Sequence, residues 1–278
     1  MNSFQIKNMS DSFTGKLFLI LILFLILINI FSKCALASDL PFKPLELEEE
    51  LVKQKVNEVP AGIKMIFIKG GCYEMGDNFG DGESDEKPVH IACVDNFYLG
   101  ESEVTQAQWE SIMGSNPSRN KGANMPVESV SWKDVQEFLK RLNEKTEEKY
   151  RLPTEAEWEY GAREEGKKVK YGTGKNEISQ RNARYNSFDW TVPVKSYSPN
   201  ALGFYDMAGN VWELCADWYG EDYYKNAPKD NPMGPSSGFT RVLRGGSWVS
   251  KPGSIRVSVR GGYISDTRYN NIGFRLAR

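Results

Sequence analysis

The chain has 278 residues, with 35 Lys plus Arg against 37 Asp plus Glu and a formal net charge of −2. No basic excess is available to neutralise phosphates, so nucleic acid is excluded as a partner. An aromatic content of 12% with 25 Gly and 13 Pro describes a turn-rich globular chain, and the single histidine, His90, removes HExxH zinc sites, three-histidine sites and two-histidine iron triads.

At the N-terminus, Lys7 and Lys16 precede an apolar run from Leu17 to Ile28, which ends through Ile30 and Phe31 in Ala35-Leu36-Ala37. This pattern reads as a secretory signal peptide over residues 1–37, cleaved after Ala37. The alternative is a retained membrane anchor, for which about fifteen apolar residues are short. Cys34 follows Lys33, a poor context for lipid attachment. Cleavage removes three lysines and one aspartate, a net +2, and leaves a formal charge of −4. The expected location is therefore outside the cytoplasm, periplasmic or extracellular, with membrane contact only through an uncleaved signal segment. Residues 38–60 carry Pro41, Pro44, the acidic run around Glu48 to Glu50, and Pro60; they read as a linker, and residues 61–278 as one domain.

Export makes a disulfide the default for cysteines close in sequence, so Cys72 and Cys93 are the expected pair. Closing a loop of that length stabilises by roughly 3 kcal/mol in the chain-entropy model. Cys215 reads as a small buried hydrophobe, since Leu214 and Trp218 supply no cation to activate a thiolate. The acidic stretch from Gly76 to Glu86 has Phe79 and Pro88 where an EF-hand starting at Asp77 needs its third and twelfth ligands. A solvated acidic loop is expected there instead. His90, between Val89 and Ile91, reads as a hydrogen-bonded strand residue and not as a base.

Three helices follow from their start signals. Thr105 opens Gln106 to Met113, with Gly114 as the stop; Ser131 with Asp134 opens a segment whose apolar face is Val135, Phe138, Leu139 and Leu142; Thr154 with Glu157 opens the helix carrying Trp158 and Ala162. After Gly166, short β-like stretches alternate with Gly, Asn, Pro and Ser clusters. The class is therefore α+β, with helices in the first half and turn-dominated structure in the second.

Four motifs recur in one order: Arg151-Leu152-Pro153-Thr154-Glu155-Ala156-Glu157-Trp158, Gly203 to Leu214 with Asp206-Met207-Ala208-Gly209-Asn210-Val211-Trp212-Glu213, Arg244-Gly245-Gly246-Ser247-Trp248, and Asn271-Ile272-Gly273-Phe274-Arg275. In this the chain resembles the formylglycine-generating enzyme family, the sulfatase-modifying factors, over roughly residues 61–278. The resemblance implies a formylglycine-generating-enzyme type of fold, an elaborated C-type-lectin-like fold with little regular secondary structure.

It also implies calcium. One family site maps onto Asp206, Gly209, Val211 and Glu213, an oxygen set that suits a hard cation. A second maps onto Asn182, Ala183, Asn186 and Phe188, with Asn186 where the family commonly has Asp. Copper is not expected. The family's enzymes hold Cu(I) on two cysteines and oxidise a substrate cysteine to formylglycine, but the matching places hold Ser250 and Ile255, and soft Cu(I) selects thiolates. No catalytic residue is assigned. The family's substrate groove maps onto Trp248, Ser250, Ile255, Arg260, Tyr263, Asn271 and Arg275, a mixture suited to a protein, peptide or glycan ligand. The expected function is a non-catalytic, calcium-stabilised binding or accessory module; the alternatives are a formylglycine-generating oxidoreductase working by a departed route, or a structural part of an envelope assembly.

Overall fold

Short strands and capped helices alternate with long stretches of irregular backbone in the computed structural model, which describes residues 62–278; the signal segment and the linker at 38–60 lie outside the described residues. Strands β1 (Met65–Ile68) and β4 (Phe97–Gly100) pair antiparallel, as do β2 (Gly71–Met75) and β3 (His90–Val94). Cys72 lies directly opposite Cys93 in that second pair, and the two form a disulfide. A four-stranded sheet follows, in the order β7 (Gly261–Ile264), β6 (Thr240–Arg244), β5 (Trp212–Trp218), β8 (Ile272–Gly273), with β8 parallel to β5. Among the described residues no helix is long and apolar enough to cross a membrane.

The three helices form where their caps place them: α1 (Gln106–Met113), α2 (Trp132–Thr146) and α3 (Glu155–Ala162). Each has a complete capping box, from Thr105 with Gln108, Ser131 with Asp134, and Thr154 with Glu157. Gly114, at φ 76°, ends α1 in the left-handed region that only glycine adopts without strain. Helix α2 buries Val135, Phe138, Leu139 and Leu142. Phe138 stacks on Trp109 of α1 at 5.1 Å, and Phe274 meets both rings edge-on.

Helix α3 is buried along its whole length although it carries three glutamates. Its carboxylates are held by arginines, two of which, Arg244 and Arg260, come from distant segments. Glu155 is held in a fork by Arg260, at 2.7 and 2.9 Å, Glu159 by Arg163 at 2.7 Å and by Arg244, and Glu157 by Arg151 at 2.6 and 2.7 Å. Burial pulls the Arg260 and Arg244 guanidiniums down, but the carboxylates facing them more than offset it and both stay charged. The last residues complete the layer: Ala277 exchanges backbone hydrogen bonds with Arg151, and Arg278 exchanges them with Tyr98 of β4.

The acidic loop before β3 is solvated at Asp81 and Glu83 but not at its two ends. Asp77 is buried and its carboxylate accepts the N–H groups of Phe79, Gly80 and Gly82, while buried Glu86 is forked by Arg256 at 2.6 and 2.7 Å. Burial raises the pKa of Asp77, but these three donors and Lys87 outweigh it and hold the group below the ordinary carboxylate range. A depressed carboxylate stabilises the fold above its unfolded pKa, and that stability is lost as pH falls through the folded value. Asp77→Asn is therefore expected to cost about 1–2 kcal/mol near neutral pH. The difference from the parent should shrink below about pH 4, as urea denaturation across pH will show. His90 sits on β3 as expected, with Nδ1 3.2 Å from the Pro88 carbonyl and its ring 4.5 Å from that of Tyr224.

Candidate functional site

The segment from Gly203 to Glu213 turns sharply before entering β5. Asp206 and Asn210 both stand at φ 58°, and Gly209 at φ 86° lies so close to Arg184 that a Cβ would sit 2.1 Å from its carbonyl oxygen. These turns gather three carboxyl groups around one cation. Glu213 on β5 accepts Arg275 Nε and Nη2 at 2.5 and 2.6 Å and Trp158 Nε1 at 2.7 Å. Glu103 is buried and, among the described residues, accepts from two neutral donors, Asn210 Nδ2 at 2.8 Å and Val211 N at 3.1 Å. Burial pushes Glu103 well above the usual carboxylate range, and the charges of Asp206 and Glu213 add to the shift.

Asp206 Oδ2 accepts Lys195 N at 2.8 Å. Burial, reinforced by Glu213 and opposed by Lys195 and Arg275, pushes its carboxyl up to about 6. Negative charge here exceeds what Arg275 supplies, and among the turns and loops of the described residues no backbone N–H donates to the Gly209 or Val211 carbonyl. Asp206 and those two carbonyls suit a hard cation. Glu213 joins such a set only through the lone pairs that Arg275 and Trp158 leave. Among the described residues no group of three or more His, Cys, Asp or Glu side chains is arranged as a ready metal cage, so carbonyl oxygens would have to supply part of the shell.

The second mapped set contains no carboxylate. Asn182 Oδ1 accepts Ser179 N at 2.9 Å, Ala183 is buried, Asn186 donates its N–H to the Ser250 carbonyl at 2.8 Å while its own carbonyl accepts Gln180 Nε2 at 3.0 Å, and Phe188 is 102% exposed.

The mapped groove residues divide into two groups. Ile255 (0% exposed), Arg260, Tyr263 and Arg275 (0%) are buried. Ile255 packs beneath Gly246, Arg260 holds Glu155, Tyr263 donates to the Thr267 carbonyl and Arg275 holds Glu213. They face inward because each carries a packing or charge partner there. Trp248, Ser250 and Asn271 remain partly exposed and are linked: Ser250 Oγ accepts Ser247 N at 3.0 Å, and Asn271 Nδ2 donates to Ser247 Oγ at 3.3 Å.

Beside them lie residues that sequence reasoning missed. Trp190 packs on Trp248 with ring centroids 5.5 Å apart, and the Arg119 guanidinium lies 4.7 Å over the Trp190 ring. Phe188, Val249 and Tyr269 add exposed apolar surface from the neighbouring loops. Arg119 and Trp190 belong to irregular segments joined through Asn120, whose amide donates to Thr191. No local pattern in either segment announces that contact.

Residues 48–278 match the family described as the sulfatase-modifying factor enzyme 1-like domain. The formylglycine-generating enzyme of Streptomyces coelicolor is 31% identical over 284 residues, covering 76% of this chain and 88% of that enzyme. The serine/threonine-protein kinase Pkn1 of Chlamydia trachomatis is 34% identical over 82% of this chain, which spans only 40% of that kinase. Among solved structures, Treponema denticola variable protein 1 superposes with a TM-score of 0.71 at 30% identity, covering 77% of this chain and 94% of that one.

Proposed function

Because this chain belongs to the sulfatase-modifying factor enzyme 1-like family, we propose that it is an exported, calcium-stabilised binding or accessory module that retains the family framework without its cysteine oxidation. One observation carries the reading. Where the resemblance places the copper thiolates stand Ser250, hydrogen-bonded within its own turn, and Ile255, buried beneath Gly246. The other sulfurs offer no replacement among the described residues. Cys72 and Cys93 are joined to each other, and Cys215 is buried with its thiol pushed well up by burial and by Asp217 and Glu155. The partly exposed surface of Trp248, Trp190, Arg119 and Asn271 is the proposed ligand face, since aromatic and Arg anchors dominate recognition surfaces.

Calcium would be held by Asp206 with the Gly209 and Val211 carbonyls and Glu213, supplying the positive charge that this acid cluster lacks. The chain's own residues set the site: Gly209 permits the bend, and Arg275 orients Glu213.

Purified protein incubated with Cu(I), oxygen and a cysteine-bearing sulfatase peptide is expected to leave the peptide unchanged; oxidation at enzyme-like turnover would overturn the reading. Calcium at about 100-fold over its dissociation constant should stabilise by about 2.7 kcal/mol. Asp206→Asn should abolish that stabilisation in a thermal melt. Equal melting with calcium and with chelator would remove calcium from the proposal.

A further inference from the structure

One short segment stands behind the oxygens of the cation site. It begins at Gly100, the last residue of β4, and ends at Glu103 ahead of α1. The Gly100 carbonyl accepts Arg275 Nη1 at 3.1 Å, and Arg275 in turn orients Glu213. The Glu101 carboxylate holds the Lys195 ammonium, and the Lys195 backbone N–H donates to Asp206 Oδ2 at 2.8 Å. Glu103 reaches the bend itself: Oε1 accepts Val211 N and Oε2 accepts Asn210 Nδ2, across sequence separations of 108 and 107. We infer that Glu103 is the positioning residue of this site, fixing the Asn210–Val211 peptide so that the Gly209 and Val211 carbonyls keep the direction a hard cation needs. The inference rests on the calcium reading above and adds to it the group that shapes the site from outside.

The backbone shows why the middle peptide matters. In a trans peptide the N–H and the C=O point to opposite sides, and the bonds of this bend are trans. Asn210 N donates to the Arg184 carbonyl and Trp212 N to the Asn271 carbonyl, each at 2.8 Å. The Gly209 and Val211 carbonyls therefore point away from Arg184 and Asn271. Between them lies the Asn210–Val211 peptide, whose carbonyl accepts Trp248 N at 2.9 Å and whose N–H goes to Glu103 at 3.1 Å. Rotating that peptide would turn both neighbouring carbonyls, because each is attached to one of its two α-carbons.

The side chain at this place has to be a carboxylate. Asn210, at φ 58°, keeps its left-handed conformation through side-chain bonds, Nδ2 to Glu103 at 2.8 Å and to the Val192 carbonyl at 3.3 Å, with Oδ1 accepting Val192 N at 3.1 Å. Both groups that meet Glu103 are donors, so two acceptor oxygens are needed. A carboxylate has them, whereas an amide would turn its NH2 towards one of the donors. Glu103 is 1% exposed, and that burial keeps bulk water from supplying the missing acceptor.

Calcium titrated calorimetrically, at a temperature where parent and variants are fully folded, measures the site apart from global stability. Glu103→Gln is expected to weaken calcium binding by about 10- to 100-fold, the range for outer partners of metal ligands. Asn210→Gly suits the positive φ while removing the side-chain bond to Glu103, and should weaken binding by about three- to tenfold. Terbium, excited through Trp158, whose indole donates to Glu213 at 2.7 Å, supplies a signature that a packing role would not move. In Glu103→Gln its luminescence decay in H2O against D2O should report about one more bound water, taking the place of a displaced carbonyl. Glu103→Gln that melts lower yet binds calcium and terbium as the parent does would overturn the inference and leave the calcium reading standing. If Glu103→Gln does not fold, Asn210→Gly decides, and parent-like affinity there would overturn it equally. A parent that binds no calcium would overturn both.

Discussion

An Arg275→Met variant is expected to unfold with about 3–5 kcal/mol less stability than the parent, because it leaves Glu213 as a buried charge without its counter-ion. Both groups are sealed from water and joined by two bonds of 2.5 and 2.6 Å. For a domain of this size the loss corresponds to roughly 6–20 °C in melting temperature. Removing the charge at both ends should undo much of the damage. In Arg275→Met with Glu213→Gln, the amide oxygen still accepts Trp158 Nε1, and at least half of the lost stability is expected to return. Urea denaturation measures both. A single-variant loss below about 1 kcal/mol would show that the ion pair is not what holds β5 against the C-terminal segment.

The second large effect belongs to the disulfide. Cys72→Ser with Cys93→Ser should cost about 3 kcal/mol, since the bond closes a loop spanning a sequence separation of 21 residues. The parent in reducing buffer should match the double variant in oxidising buffer, as the same constraint is removed from the unfolded chain. Identical denaturation midpoints for variant and oxidised parent would refute this.

Legibility in the sequence followed the range of the interaction. The helices were readable because a capping box is a contract between residues three apart, as in Ser131 with Asp134. The cysteine pair was readable because its partners are near in sequence and face each other across adjacent strands. The inward side of the candidate groove was not. Arg260 meets Glu155 at a separation of 105 residues and Arg256 meets Glu86 at 170, and nothing local distinguishes an arginine that seals a buried glutamate from one that greets a ligand. The acidic loop misled for the same reason: Asp77 and Glu86 look solvated until the backbone donors and the distant arginine come into place. Trp190 and Arg119 lie in segments without periodicity, and only the folded chain brings them beside Trp248.

The knitting of Ala277 to Arg151 and of Arg278 to Tyr98 sets the order in which the molecule can be completed. During synthesis the early strands and all three helices emerge well before the residues that close over them, so Glu213 stays wet until Arg275 arrives 62 positions later. Cooperative folding is thereby deferred until Arg275 to Arg278 have been made, and a chain lacking them would leave Glu213 uncovered.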